Sequence, residues 1–220
     1  MAQRECYFIS GSPPCWSVML ALAAKGLTYE PHRLSNSKSE QKNVDFLAIN
    51  PRGNVPVLVD GAVRVRETNA ILAYLEAAYP QPPLFGVTPA DTAAIWQTVC
   101  EAGDRLRTPI GNAVRPIFRG RAEEQAATIQ VTMETVHQEL ATLEAQLNES
   151  PYLCGNHLSA ADITVYPAMM QLLRGATREG AEVLELGVLP LATHYPGIHK
   201  WTGLIEDLPG YETAYPPHWR

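Results

Sequence analysis

These 220 residues lack most marks of a membrane, secreted, metal-binding or nucleic-acid-binding chain. No apolar run approaches the ~18 residues that a bilayer-spanning helix needs. The opening MAQRECYFIS lacks the apolar core of a secretion signal, so the cytoplasm is the expected compartment and no membrane partner is expected. Cys6, Cys15, Cys100 and Cys154 are scattered, with no C-x-x-C pair; neither a disulfide framework nor a zinc site is expected. The six histidines lack a ligand-like spacing, and no metal is expected. Nor is there a basic excess. Seventeen Lys and Arg against 23 Asp and Glu give a net charge of −6 and a pI near 5.5, which weighs against nucleic acid. The local cluster Arg115, Arg119 and Arg121 reads as a solvated loop. Charged residues at 18% against 46% apolar argue for a folded globular chain, and internal repeats and low-complexity tracts are absent.

The pattern that is present changes once along the chain. Cys6–Ser10 reads as a short strand stopped by Gly11, and Cys15–Lys25 as a helix ended by Gly26. Tyr29–Leu34 is a weaker strand. Ser39–Ile49 is a short helix candidate with Val44 and Leu47 inward, closed by Asn50-Pro51. Val55–Val59 and Val63–Arg66 read as a hairpin about Asp60-Gly61, and Thr68–Tyr79 as a helix with Ile71, Leu72 and Leu75 on one face. The order is β-α-β-α-β-β-α. The run Tyr79-Pro80-Gln81-Pro82-Pro83 then breaks the pattern as a semi-rigid connector. The expected domains are 1–80, a linker 81–89, and an all-helical domain 90–220. In the latter, Ala90–Leu106 carries Ile95, Val99 and Leu106. Ile129, Met133, Val136, Leu140, Leu143 and Leu147 make one face of a long bundle helix.

Four motifs carry chemistry. Ser12-Pro13-Pro14-Cys15 stands at the mouth of the first helix, where free N–H groups and a partial positive charge stabilise a thiolate of the protein or of a ligand. Ser12 is either a hydroxyl donor to that sulfur or a plain cap. Asn54-Val55-Pro56 opens a strand with a proline that cannot join the ladder. A cis Val55-Pro56 bond would turn the Val55 backbone outward to pair with a peptide-like ligand. Glu67-Thr68-Asn69 begins a helix, where a carboxylate and a hydroxyl suit an amino-acid end or simple capping. Ser159-Ala160-Ala161-Asp162 reads as a capping box, and Asp162 as a folding residue.

In register, YFISGSPPCWSVMLAL, NPRGNVPVLVDG, RETNAILAYLE and GNHLSAADITVYP resemble four segments of the cytosolic glutathione transferases, along essentially the whole chain. They are similar to that family's first strand with catalytic loop, cis-proline strand, E-S/T helix and capping-box signature. The resemblance implies a thioredoxin-like N-terminal domain, a helical C-terminal domain that supplies the electrophile pocket, and glutathione as cosubstrate. It implies that Ser12 stabilises the glutathione thiolate. Tyr7 lies too early to replace it. Val55 and Pro56 would hold the cysteinyl part, Glu67 and Thr68 the γ-glutamyl end, and Gln41, Lys42 and Asn54 the glycyl carboxylate.

The S-P-P-C loop departs from a plain serine loop. Cys15 is similar in place to the second cysteine of a glutaredoxin C-P-x-C, and it stands beside Ser12 as a catalytic candidate able to form a mixed disulfide with glutathione. The class stays open among zeta-, theta-, beta- and nu-like groups. Arg174 falls twelve residues after Asp162, where zeta-like isomerases carry an arginine for an acidic substrate. Tyr166, Trp96, Arg105 and Arg115 are further pocket candidates. The implied activity is attack of the glutathione sulfur on a small electrophile, in detoxification. The alternatives are disulfide reduction, zeta-type isomerisation, or glutathione binding without turnover. The resemblance also implies a homodimer, with small residues Asn69, Ala70, Ala73 and Ala77 on one helix and Ala93, Ala94 and Thr98 on another.

Overall fold

The computed structural model describes residues 4–219. It divides into one unit of Met1–Leu84 with Leu208–Arg220, and a second of Phe85–Asp207. In the first, β1 (Arg4–Phe8), β2 (Glu30–Arg33), β3 (Val57–Asp60) and β4 (Val63–Arg66) form a sheet in the order β2-β1-β3-β4. β1 runs parallel to β2, while β1–β3 and β3–β4 are antiparallel. Asp60 pairs with Val63, so the two-residue loop is Gly61-Ala62, one residue beyond the expected turn.

α1 (Pro13–Ala24) reads PPCWSVMLALAA and carries no charge. A helix apolar all round must be enclosed on all sides. It packs against α3 (Thr68–Ala78) and against α10 (Tyr211–Ala214) of the tail. Trp16 meets the Tyr215 ring edge-on at 5.6 Å and the Trp219 ring at 5.5 Å. The expected helical domain reaching residue 220 therefore ends earlier in this division, because the tail covers the remaining flank of α1. Ile71, Leu72 and Leu75 of α3 are buried, as their spacing predicts.

The expected helix over 39–49 is two pieces, a 3₁₀ turn at Glu40–Lys42 and α2 (Val44–Ile49). Asn43 between them is extended, at φ −68° and ψ 151°, which resets the helical phase. Val44 consequently points outward at 79% exposure, and Phe46 is the buried residue at 4%. At the far end of α1, the buried Lys25 ammonium donates to Glu76 (2.8 Å) and to the carbonyls of Tyr79 (2.7 Å) and Pro82 (2.8 Å). It thereby pins the Pro-rich connector.

The second unit holds α4 (Pro89–Glu101), α5 (Thr108–Phe118), α6 (Ala126–Glu149), α7 (Ala160–Ala176), α8 (Leu191–His194) and α9 (Pro196–Glu206). The helix expected to run to Leu106 changes to a π turn over Ala102–Arg107. All six apolar positions read on α6 are buried. Among the described residues, no helix is long and apolar enough to cross a membrane.

The capping box at α7 is present. Asp162 also accepts the Leu153 N–H (2.9 Å) and the Trp201 indole N–H (2.9 Å). Asp162→Ala removes one cap and leaves two buried donors without a partner. The expected loss is about 3 kcal/mol, read as a lower urea midpoint at an unchanged slope. An unchanged midpoint would refute this account of Asp162.

Candidate functional site

The loop between β1 and α1 follows from its two prolines. Pro13 and Pro14 fill the first two helical positions and offer no N–H. Ser12, extended at φ −79° and ψ 117°, makes no side-chain cap bond. Its hydroxyl instead meets the Cys15 sulfur. Cys15 is 1% exposed. Burial pushes its thiol up to about 11, although hydrogen bonds with Ser12 and the Ile9 backbone pull the other way. The thiol is therefore protonated near neutral pH and offers no thiolate of its own.

The second segment is shaped by Asn50, a residue read from the sequence only as a helix stop. Asn50 is fully buried. Its Nδ2 donates to the Asn54 carbonyl (2.7 Å) and to Asn54 Oδ1 (2.6 Å). Its Oδ1 accepts from the Arg52 N–H (3.2 Å) and from Arg66 (3.3 Å). Gly53, at φ +60°, would bring a β-carbon to 2.8 Å from the Gln41 carbonyl, so only glycine fits that approach. Lys42 Nζ donates to the Arg52 carbonyl (3.2 Å). Gln41 Nε2 donates to Asn36 (3.3 Å), and its buried Oε1 has no partner among the described residues. The Val55-Pro56 bond is cis. Val55 is half-buried, and its backbone makes no hydrogen bond among the described residues.

Glu67 precedes α3 at φ +69°, ψ 125°. A non-glycine residue held there is strained. Its carboxylate is exposed, 4.0 Å from the Arg52 guanidinium. Thr68 donates its hydroxyl to the Pro14 carbonyl at 3.2 Å, which ties the start of α3 to the start of α1. Ser12, Cys15, Thr68, Glu67, Asn54, Val55, Pro56, Lys42 and Gln41 are thus linked around one end of the sheet by Pro14, Arg52 and Gly53.

The tail also reaches this loop. Ser10 Oγ and His218 Nδ1 are in hydrogen-bond contact at 3.2 Å. A β-carbon on Gly11, at φ +80°, would lie 2.9 Å from the Trp219 indole nitrogen. Nothing in the local sequence around residue 218 signals this contact, since it depends on the tail folding back over α1.

The pocket candidates of the helical unit behave differently. Tyr166 is fully buried, donates to Glu206 (3.2 Å) and stacks edge-on with Trp201. It lies in the core of that unit. Arg174 lies half-buried in the last turn of α7. Trp96 stacks on Phe85 at 4.5 Å, Arg115 donates to Asn112, and Arg105 is exposed. Among the described residues, no cluster of three His, Cys, Asp or Glu could hold a metal.

A four-stranded mixed sheet with α1 and α3, joined to a helical unit, defines a two-domain protein with a thioredoxin-like N-terminal half. Residues 7–83 match the family model for the glutathione S-transferase N-terminal domain, and residues 124–203 match that for its C-terminal domain. A probable glutathione S-transferase of Oryza sativa subsp. japonica is 30% identical over 210 residues, 91% of this chain and 90% of that one. A maleylacetoacetate isomerase of Pseudomonas aeruginosa is 29% identical over 216 residues, 96% of this chain and 95% of that one. The crystal structure of a glutathione S-transferase from the Antarctic clam Laternula elliptica superposes with a TM-score of 0.81 at 29% identity, over 99% of this chain and 94% of that one. The chain belongs to the glutathione S-transferase family.

The four cysteines are free and differ sharply in exposure. Cys100 is exposed, Cys154 half-buried, and Cys6 and Cys15 are buried with thiols raised by desolvation. Iodoacetamide at pH 7.5 should label Cys100 first and Cys154 slowly, and should leave Cys6 and Cys15 untouched until denaturant is added. Peptide mass spectrometry reads the order. Rapid native labelling of Cys15 would overturn the protonated, buried thiol.

Proposed function

We propose that this protein is a glutathione transferase of the serine type. The observation that carries the reading is the Ser12 hydroxyl at the mouth of α1, released from capping by Pro13 and Pro14 and tied through Pro14 to the start of α3. Glutathione lies along Val55, its cysteinyl part pairing with backbone groups that the protein leaves unbonded. Its γ-glutamyl carboxylate takes the first N–H groups of α3, and its ammonium takes Glu67. Gln41, Lys42 and Asn54 hold the glycyl end.

Ser12 then donates a hydrogen bond to the sulfur. Together with the positive end of α1, it lowers the thiol pKa and favours the thiolate. With an aryl halide, the sulfur–carbon bond forms, the carbon–halide bond breaks, and the halide leaves. The thiol proton passes to solvent. The protein supplies positioning and charge stabilisation and makes no covalent bond itself.

The likeness to a maleylacetoacetate isomerase over nearly the whole chain favours one second reading. There the sulfur adds to a conjugated double bond, the single bond so formed rotates, and the sulfur leaves again. Glutathione is unchanged, and Arg174 is the candidate partner of an acidic substrate. The buried Cys15 thiol favours neither a dithiol route nor a mixed disulfide. We place the protein in the cytoplasm, in keeping with four unpaired cysteines. We also propose that it works as a homodimer through the solvent-facing small residues of α3 and α4.

Ser12→Ala should retain glutathione binding but slow conjugation by about 10- to 1000-fold, as for loss of one oxyanion donor. A panel of aryl halides, disulfides, peroxides and maleyl-type acids assigns the reaction. Wild-type activity no greater than the mutant's on every member would reject the Ser12 mechanism. Retention on immobilised glutathione without any turnover would indicate a binding protein instead. Light scattering at micromolar concentration should give about twice the chain mass, and a value near 24.2 kDa would refute the dimer.

A further inference from the structure

Ile9–Ser12 close as a four-residue turn between β1 and α1, with the Ser12 N–H donating to the Ile9 carbonyl (3.2 Å). Gly11, at φ +80°, takes the third place, where a type II turn needs a positive φ. One backbone hydrogen bond is a modest hold on such a turn. Its two central residues, Ser10 and Gly11, both meet the tail.

The approach to Gly11 is close. A β-carbon there would lie 2.9 Å from the Trp219 indole nitrogen and 3.2 Å from Cε1 and Nε2 of His218. Both rings therefore stand against the bare α-carbon, an approach that glycine permits. His218 Nδ1 is also 3.2 Å from Ser10 Oγ, so one histidine braces both central residues. The tail end is itself fixed. The Trp219 N–H donates to the Pro216 carbonyl (2.9 Å), and the Trp219 ring meets Trp16 of α1 edge-on at 5.5 Å. The Trp16 N–H in turn donates to the Ser12 carbonyl (2.9 Å). Ser12 is thus gripped by α1 on one side and by a tail-braced turn on the other.

The Ser12 side chain adds little restraint of its own. It makes no cap bond, and its hydroxyl meets the Cys15 sulfur, a weak hydrogen-bonding partner. The backbone therefore sets where the hydroxyl stands, and the turn sets the backbone. We propose that His218 and Trp219 are positioning residues for Ser12. They act through Ser10 and Gly11, and hold the serine hydroxyl where the glutathione sulfur arrives. The inference rests on the serine reading of the proposed function and deepens it. No bond forms or breaks at the tail; its effect is geometric, and a misplacement of about 1 Å can cost about 100-fold in rate.

The test compares the full-length wild type with Ser12→Ala, Trp219→Ala, His218→Ala, His218→Gln and the double variant Ser12→Ala/Trp219→Ala. The readouts are steady-state conversion of the fastest member of the substrate panel and ultraviolet titration of the thiolate of bound glutathione. Trp219→Ala and His218→Ala should each lower kcat about 3- to 30-fold. KM for glutathione should stay within about twofold, because Val55, Glu67 and Thr68 are untouched. Both variants should raise the pKa of the bound thiol, in the same direction as Ser12→Ala. His218→Gln, whose amide can supply either sense of the hydrogen bond to Ser10, should restore most of the rate. In the Ser12→Ala background, Trp219→Ala should cost nothing further, because it acts through that hydroxyl. If circular dichroism shows that Trp219→Ala disturbs the fold, Trp219→Phe is read in its place, since it keeps a ring on Trp16 and removes the edge against Gly11. The proposal is overturned if the tail variants keep wild-type kcat and thiol pKa while Ser12→Ala is slow, or if the two losses multiply in the double variant. It is equally overturned if His218→Gln is no better than His218→Ala, or if KM for glutathione carries the loss. Those outcomes leave the Ser12 mechanism standing, whereas a Ser12→Ala enzyme as fast as wild type removes that mechanism and the tail's role together.

Discussion

Enclosure of α1 is the constraint on which the first unit depends. The helix offers twelve residues without a charge, and Trp16, Leu20 and Leu22 are fully buried. Burial of each such side chain is worth about 1.5–3 kcal/mol, so leaving any flank open would be expensive. Packing against α3 covers one side and the returning tail another. A helix held on these sides cannot tilt freely, and its first turn is fixed in space. That fixes Ser12. The same constraint explains why the tail groups with the N-terminal half although it follows the helical unit in sequence.

The loops at that end of the sheet are held by polar contacts rather than by apolar packing. Asn50 gathers the 50–54 turn with four hydrogen bonds from a fully buried position. Removing it would strand several buried groups at once. Glu67 is kept in a positive-φ conformation that costs about 1–3 kcal/mol. The neighbouring Thr68 hydroxyl anchors that junction to the Pro14 carbonyl. The helix that follows has no side-chain cap at Glu67, and uncapped N–H groups at a helix start suit a ligand carboxylate.

Regular periodicity made much of this legible in the sequence. The 4-3-4-3-4 spacing on α6, the apolar face of α3 and the capping box at Ser159 each depend on residues close in the chain, so local pattern and final structure agree. The misreadings come from elements that need distant partners. Val44 faces solvent because Asn43 breaks the helix, an event invisible to a periodicity count. Tyr166, a pocket candidate only by the helix it stands on, has Trp201 and Glu206 of α9 packed on it, contacts that no local pattern announces. The tail residues His218 and Trp219 gave no signal, because their contacts are made about two hundred residues away in sequence.

Ser12 and Cys15 show how packing chooses between candidates that composition leaves equal. Both stand within one turn of the same helix end, where the local field favours a thiolate. Field alone would make Cys15 the stronger nucleophile. Desolvation decides otherwise, since the same enclosure of α1 that positions the loop also seals Cys15 at 1% exposure and raises its thiol. Ser12 lies half-buried outside that seal, with no first-turn cap to make. On the proposed reading, a sulfur delivered from outside uses the positive helix end without bearing the cost of burial, and the Ser12 hydroxyl is its donor. The two prolines are what separate these fates: they start the helix without demanding a cap from Ser12, and Cys15 follows them on the buried side of the helix.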